Sequence, residues 1–121
     1  MYELHAETYF AAAHCLRGYQ GKCEKLHGHN WRVQVVLAGE STNHLGMVMD
    51  FSDVKALLAE VVEEFDHCYL NDLPRFREQN PTTENMARII CEDLARRLPA
   101  GVRVRSVTAW ESEKCAATYR P

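Results

Sequence analysis

Tyr2-Glu3-Leu4-His5-Ala6-Glu7-Thr8-Tyr9-Phe10 and Trp31-Arg32-Val33-Gln34-Val35-Val36-Leu37 are the stretches whose reading decides the fold. In the first, Tyr2, Leu4, Ala6, Thr8 and Phe10 fall on one side and Glu3, His5 and Glu7 on the other. In the second, Trp31, Val33, Val35 and Leu37 alternate with Arg32 and Gln34. A period of two is that of a half-buried strand, so both are predicted as strands. Gly39 and the polar run Ser41-Thr42-Asn43 end the second. Gly46 to Phe51 reads as a short extended piece.

Beyond them the period changes. With Ser52 as N-cap, Val54, Leu57, Leu58, Val61, Val62 and Phe65 form one apolar helical stripe, and Asp53, Lys55, Glu60, Glu63 and Glu64 fill the other face. Asn80-Pro81-Thr82-Thr83-Glu84 starts a second helix with the stripe Met86, Ile89, Ile90, Leu94 and Leu98. Arg96 and Arg97 suit the negative end of its dipole, and Pro99 and Gly101 stop it. Val102, Val104, Thr108 and Trp110 then alternate with Arg103, Arg105 and Glu111 as a third strand, and Cys115 to Arg120 is a short fourth. The order strand, strand, helix, helix, strand, strand predicts an α+β fold: a four-stranded antiparallel sheet with both helices on one face. Its two open edges need covering or pairing with another subunit.

A chain of 121 residues is the size of one domain, so residues 1–121 are read as a single unit. With 46% hydrophobic and 26% charged residues, disorder is disfavoured. A net charge of -3 provides no global positive field for nucleic acid or an anionic membrane. No apolar run approaches the roughly 18 residues of a membrane span. The opening residues lack the apolar core of a signal peptide. Together with an odd count of five cysteines (Cys15, Cys23, Cys68, Cys91 and Cys115), this points to a reducing cytosol and free thiols. Cys91 falls near a helix stripe, and Cys15, Cys68 and Cys115 read as small, partly buried fillers.

Chemistry concentrates in Cys23-Glu24-Lys25-Leu26-His27-Gly28-His29, with His14 upstream. In extended chain, His27 and His29 aim at one point, and Gly28 leaves the reverse side clear. His14 follows the first strand, so a hairpin brings it beside them. Three neutral imidazoles with one open position are the donor set of a catalytic zinc site. The alternative is a group of unmetallated polar histidines. Cys23 is either a fourth ligand closing a structural site or a thiol beside the open position, activated by the nearby cation. Asp66-His67 suits a proton relay, against a histidine that merely complements a helix dipole. Glu111 could accept paired N–H donors, or be a solvated rim acid. Thr82-Thr83-Glu84 caps a helix whose free N–H groups could also bind an anion. Arg103 and Arg105 read as a solvated strand face.

These residues together resemble the 6-pyruvoyltetrahydropterin synthase family, nearest its bacterial 6-carboxytetrahydropterin synthase branch of queuosine biosynthesis. The resemblance runs through Phe10-Ala11-Ala12-Ala13-His14, Cys23-x-x-x-His27-Gly28-His29, Met49-Asp50-Phe51, Asp66-His67, Tyr69-Leu70-Asn71-Asp72, Asn80-Pro81-Thr82-Thr83-Glu84 and Glu111. It implies the T-fold, in which trimers join their sheets into a barrel and two trimers stack into a hexamer. It implies zinc on His14, His27 and His29, Cys23 as general base, Asp66 and His67 as proton relay, and Glu111 anchoring a pterin ring and joining that relay. Thr83, Glu84 and Glu24 then border the substrate. The implied reaction converts 7,8-dihydroneopterin triphosphate to 6-carboxytetrahydropterin, acetaldehyde and triphosphate, with no redox cofactor. Cys68, after His67, stands where some relatives carry a second histidine. Glu24 matches the spacing of a folate-linked branch, Glu-x-x-His-Gly-His, which suggests a second activity giving 6-hydroxymethyl-dihydropterin. Competing expectations are a pyruvoyl product, a zinc hydrolase, and a non-catalytic zinc domain closed by Cys23.

Overall fold

The computed structural model describes residues 1–19 and 25–121. Its elements are β1 (Tyr2–His14), β2 (His27–Gly39), α1 (Phe51–Val62), β3 (Cys68–Tyr69), α2 (Thr83–Ala95), β4 (Val102–Trp110) and β5 (Ala116–Tyr119). Two short 3-10 turns, Leu70–Asp72 and Pro74–Phe76, lie between β3 and α2. The strand order is β3-β1-β2-β4-β5. All pairings are antiparallel except β1 with β3, where Ala12 and Ala13 run parallel to Cys68 and Tyr69. The α+β T-fold expectation holds, with one correction: the sheet has five strands and is mixed. The added strand is only two residues long, so no alternation could announce it.

Both helices cover one face. Phe10, Trp31, Val33, Val35 and Leu37 of the sheet meet Val54, Leu58 and Val61 of α1 and Met86, Ile90 and Leu94 of α2. Trp31 is fully buried and stacks on Phe10 at 5.8 Å. Burial of each such large apolar side chain contributes roughly 1.5–3 kcal/mol. α1 is capped by Asp50, whose carboxylate accepts from Ser52 N at 2.8 Å and from Ser52 Oγ at 2.7 Å. Ser52 is thus the residue served by the cap and not the cap itself. Gly46 to Met49 forms turns and bends instead of an extended piece, and α1 ends at Val62, before Phe65. α2 starts as expected, with Thr82 Oγ1 accepting from Asn85 N at 3.1 Å.

The third predicted strand, β4, changes phase midway. Val36 pairs with Ser106 but Leu37 pairs with Val104, so Arg105 is an extra residue, a β-bulge. Beyond it the buried set is Val107 and Ala109. Thr108 pairs through its hydroxyl with Thr118, and Trp110 lies under the Arg32 guanidinium, 3.9 Å from ring centroid to Cζ. The expected grouping of Val102, Val104, Thr108 and Trp110 on one side therefore fails at Arg105. Cys115, expected to be partly buried, is exposed.

One ion-pair cluster ties the irregular connection to α2. Buried Asp93 receives two bonds from Arg75, at 2.5 and 2.6 Å, and a third from Arg96. No helix among the described residues is long and apolar enough to cross a membrane.

Candidate metal centre

Register brings three imidazoles to one end of the sheet. His14 of β1 pairs with His27 of β2, and Ala12 with His29. Directly paired residues share a face, so His14, His27 and His29 all point to the helix-covered side. Their ring centroids are 4.6, 4.7 and 5.0 Å apart. Trp31 forms the floor, edge-on to His14 at 5.1 Å and to His29 at 5.8 Å.

Two backbone carbonyls fix which nitrogen each ring offers. His14 Nδ1 lies 2.8 Å from Pro81 O, and His27 Nδ1 lies 2.8 Å from Lys25 O. A carbonyl oxygen only accepts, so both Nδ1 atoms carry hydrogen, and the neutral rings present Nε2 lone pairs. Carbonyl-oriented imidazoles of this kind are the usual surroundings of a metal ligand. His14 Nε2 is buried and makes no hydrogen bond. A buried, unpaired acceptor costs about 1–3 kcal/mol unless something supplies its partner. Three imidazole nitrogens suit a metal of the zinc class.

Glu111 completes the cluster. Because the Arg105 bulge shifts β4, Glu111 just past its end lands on the inner face. Its Oε1 is 3.5 Å from His29 Nε2, and its Oε2 is 3.7 Å from His14 Nε2. Thr83, in the first turn of α2, donates its hydroxyl to Glu111 Oε2 at 3.2 Å. One ligand atom from each of His14, His27, His29 and Glu111 lies within 4.8 Å of all the others.

Asp66 and His67 sit in the turn after α1. Asp66 Oδ1 accepts from Ala11 N and from His67 Nδ1, each at 2.9 Å, and His67 N donates to Ala11 O at 2.6 Å. These bonds hold the Asp66 carboxyl below the usual carboxylate range, chiefly through the Ala11 N–H. His67 adopts φ 57°, a left-handed conformation that is uncommon outside glycine. Among the described residues it bonds to Asp66 and Ala11 and not to the three imidazoles. His67 and His29 do border one open trough of about 540 Å³, floored by Ala11, Ala13 and Gly28. The space on the reverse side of Gly28 is ordinary: a Cβ there would find only Ala12 O, at 4.0 Å.

The chain after His14 is held by side-chain amides whose role the sequence did not reveal. Asn71 accepts from Cys15 N and donates to Cys15 O, both at 2.9 Å. Asn80 does the same for Arg17, at 2.8 and 2.9 Å. The Arg17 guanidinium donates to the carbonyls of Phe76, Arg77 and Gln79. The Tyr69 hydroxyl lies 3.0 Å from the Cys15 thiol, and this bond, with burial, pushes its pKa up to about 12. Asn, Tyr and Pro in the two stretches singled out above were the available signal, but their partners are 54 to 67 residues away.

Cys23 and Glu24 lie outside the described residues. Glu84 is exposed, and its side chain makes no hydrogen bond or ion pair among the described residues. Thr83 is brought to the cluster through Glu111.

Residues 3–121 match the family described as 6-pyruvoyl tetrahydropterin synthase. A Synechocystis sp. protein named 6-carboxy-5,6,7,8-tetrahydropterin synthase is 39% identical, over 98% of this chain and 93% of its own. A Pyrococcus furiosus protein named dihydroneopterin monophosphate aldolase is 38% identical, over 87% of this chain and 85% of its own. The structure of Caenorhabditis elegans 6-pyruvoyl tetrahydropterin synthase matches with a TM-score of 0.85 at 27% identity, covering 99% of this chain and 95% of that one.

Proposed function

The chain belongs to the 6-pyruvoyl tetrahydropterin synthase family, and from that premise we propose that it is a zinc-dependent lyase of queuosine biosynthesis. It takes 7,8-dihydroneopterin triphosphate and water to 6-carboxy-5,6,7,8-tetrahydropterin, acetaldehyde and triphosphate. The observation that carries this reading is the cluster of His14, His27 and His29, with two rings turned by carbonyls so that Nε2 faces inward. The Synechocystis relative bears the name of this activity.

In this reading zinc on the three imidazoles supplies Lewis acidity to the substrate's side-chain oxygens. Cys23 removes a carbon-bound proton. The Asp66–His67 pair returns protons, Asp66 holding the imidazole by its Nδ1 as a carboxylate orients a relay histidine. Glu111 accepts the paired N–H groups of the pterin ring, with Thr83 fixing one carboxylate oxygen. Glu84 and Glu24 border the substrate. Residues 1–121 act as one domain in the cytoplasm, assembled as a hexamer of two trimers. The side of β1 away from β2 is taken only at Ala11 to Ala13 among the described residues, leaving Tyr2 to Phe10 available to a neighbouring chain. The relay of one chain then faces the metal of the next.

Incubating the purified protein with 7,8-dihydroneopterin triphosphate and identifying products by mass spectrometry tests this. 6-Carboxytetrahydropterin and acetaldehyde support it; a pyruvoyl product, or no turnover by zinc-loaded protein, refutes it. A second reading is favoured by the Pyrococcus relative's name: cleavage to 6-hydroxymethyl-dihydropterin, with Glu24 as base. Wild type forming that product, and Glu24→Ala losing it alone, would establish the second activity. Identical product profiles for the two would eliminate it.

A further inference from the structure

We propose that Arg17 is a positioning residue of the metal centre: by gathering the carbonyls of one irregular segment, it holds Pro81 O against His14 and so decides which His14 nitrogen faces the metal. The inference rests on the reading of His14, His27 and His29 as a metal site and adds a residue that acts only through His14.

No regular structure holds Pro81 where it is. Residues 77–82 belong to no helix or strand. The bond from Met86 N to Thr82 O opens α2, so Pro81 O stands outside the helix and is left for His14 Nδ1, 2.8 Å away. Arg17, three residues after His14, ties this same segment to the chain leaving β1. Asn80 clasps the Arg17 backbone at 2.8 and 2.9 Å. The Arg17 guanidinium donates to Phe76 O, to Arg77 O at 3.2 Å and to Gln79 O at 2.9 Å. Arg17 is half-buried and forms no ion pair among the described residues, so its charge-assisted bonds go to carbonyl and amide oxygens. A planar fork of N–H donors suits several fixed acceptors at once, whereas a lysine ammonium is a single point.

What the segment controls is the His14 hydrogen. A neutral imidazole carries one, on either nitrogen. Pro81 O, at 2.8 Å, draws it to Nδ1, and the Glu111 carboxylate, 3.7 Å from Nε2, would draw it there instead. At 3.7 Å the second contact is no hydrogen bond, and buried Nε2 stays bare. Once Pro81 O drifts from His14, the hydrogen is free to settle on Nε2, and the lone pair turns away from the metal position. A metal then binds only after that hydrogen has moved back, so affinity falls.

Two readouts on the full chain test this. One is the His14 tautomer in metal-free protein, from long-range proton–nitrogen NMR with the signal assigned through His14→Gln. The other is Zn2+ affinity, by competition with a chromogenic chelator. Both are taken for wild type, Arg17→Met, Arg17→Lys and Asp50→Ala, with circular dichroism to confirm folding. Asp50→Ala removes the cap at the start of α1 and is expected to lower stability while leaving both readouts unchanged. Both Arg17 variants are expected to lose the fixed Nδ1–H tautomer, and Arg17→Met to bind Zn2+ roughly 10-fold or more weakly. Arg17→Lys keeps the charge and the Asn80 clasp, and it decides should Arg17→Met not fold. A wild-type tautomer in Arg17→Lys would overturn the proposal whatever its affinity. A changed tautomer with unchanged Zn2+ affinity would overturn its link to the metal. An equal loss of affinity in Asp50→Ala would overturn it too, by making the effect one of general stability. Zn2+ bound by wild type no better than by His27→Ala would overturn the site reading instead, and the tautomer would still decide the role of Arg17.

Discussion

Asn71 grips Cys15 at both ends of its backbone, accepting from its N–H and donating to its carbonyl, each at 2.9 Å. A side-chain amide here does what a neighbouring strand would do. Cys15 is the residue after His14, so this clasp fixes the outgoing chain next to a proposed metal ligand. Asn71→Ala is expected to lower stability by roughly 1–3 kcal/mol through two lost partners. Asn71→Asp, which keeps the acceptor, should lose less. Urea denaturation reads both, and an Asn71→Ala midpoint equal to wild type would show that the clasp does not contribute.

His67 tests a separable pair of requirements. Its φ of 57° demands a residue that tolerates the left-handed region, and the proposed relay demands an imidazole. Asn tolerates that region well, and a β-branched residue does not. His67→Asn is expected to keep the melting temperature while turnover falls. His67→Val should lose turnover and about 1–2 kcal/mol of stability. Equal melting temperatures for the two variants would refute the conformational argument.

Asp93 gives the acid limb of the stability curve a source. Burial alone would raise its pKa, but the bonds from Arg75, with Arg96 and Arg97 nearby, hold it below the usual carboxylate range. A carboxyl lower in the folded than in the unfolded state stabilises fully above the unfolded value, about 3.9. That contribution is lost as pH falls below about 4, through the folded value. Asp93→Asn should cost roughly 1.5–3 kcal/mol at pH 7 and flatten the fall in stability below about pH 4. Parallel curves for variant and wild type would rule out this source.

The two proposed roles of Cys23 and the histidines separate by metal analysis. His14→Ala, His27→Ala and His29→Ala should each lose bound zinc and activity. Cys23→Ala should retain zinc and lose the lyase reaction by about 100-fold or more, the usual contribution of a positioned base. Zinc lost from Cys23→Ala, measured by elemental analysis, would instead make that thiol a ligand.

Much of this arrangement is legible in the chain itself. The two long strands announce themselves through Leu4 to Phe10 and Trp31 to Leu37, and the imidazoles converge because His14, His27 and His29 extend those same alternations. What alternation cannot reveal is anything made by partners distant in sequence. Ala11 to Ala13 carry no polar contrast, yet β1 runs through them to His14. β3 exists because Cys68 and Tyr69 find Ala12 and Ala13. Asp50 and Ser52 are both good caps, and only the bond from Ser52 N decides between them. The carbonyls of Lys25 and Pro81 are invisible for a simpler reason: every residue has one.

The extra residue at Arg105 has a consequence that reaches the other end of its strand. Side chains along a strand occupy two faces in strict succession, so one residue skipped by the pairing exchanges the faces of everything that follows. A ladder that ran straight through Arg105 without the bulge would send Thr108 and Trp110 into the helix layer, with Val107 and Ala109 turned to solvent. Glu111 would then leave the company of His14 and His29, although no residue of the cluster had been altered. Whether this acid meets the histidines is settled six positions away, by a ladder that skips one residue.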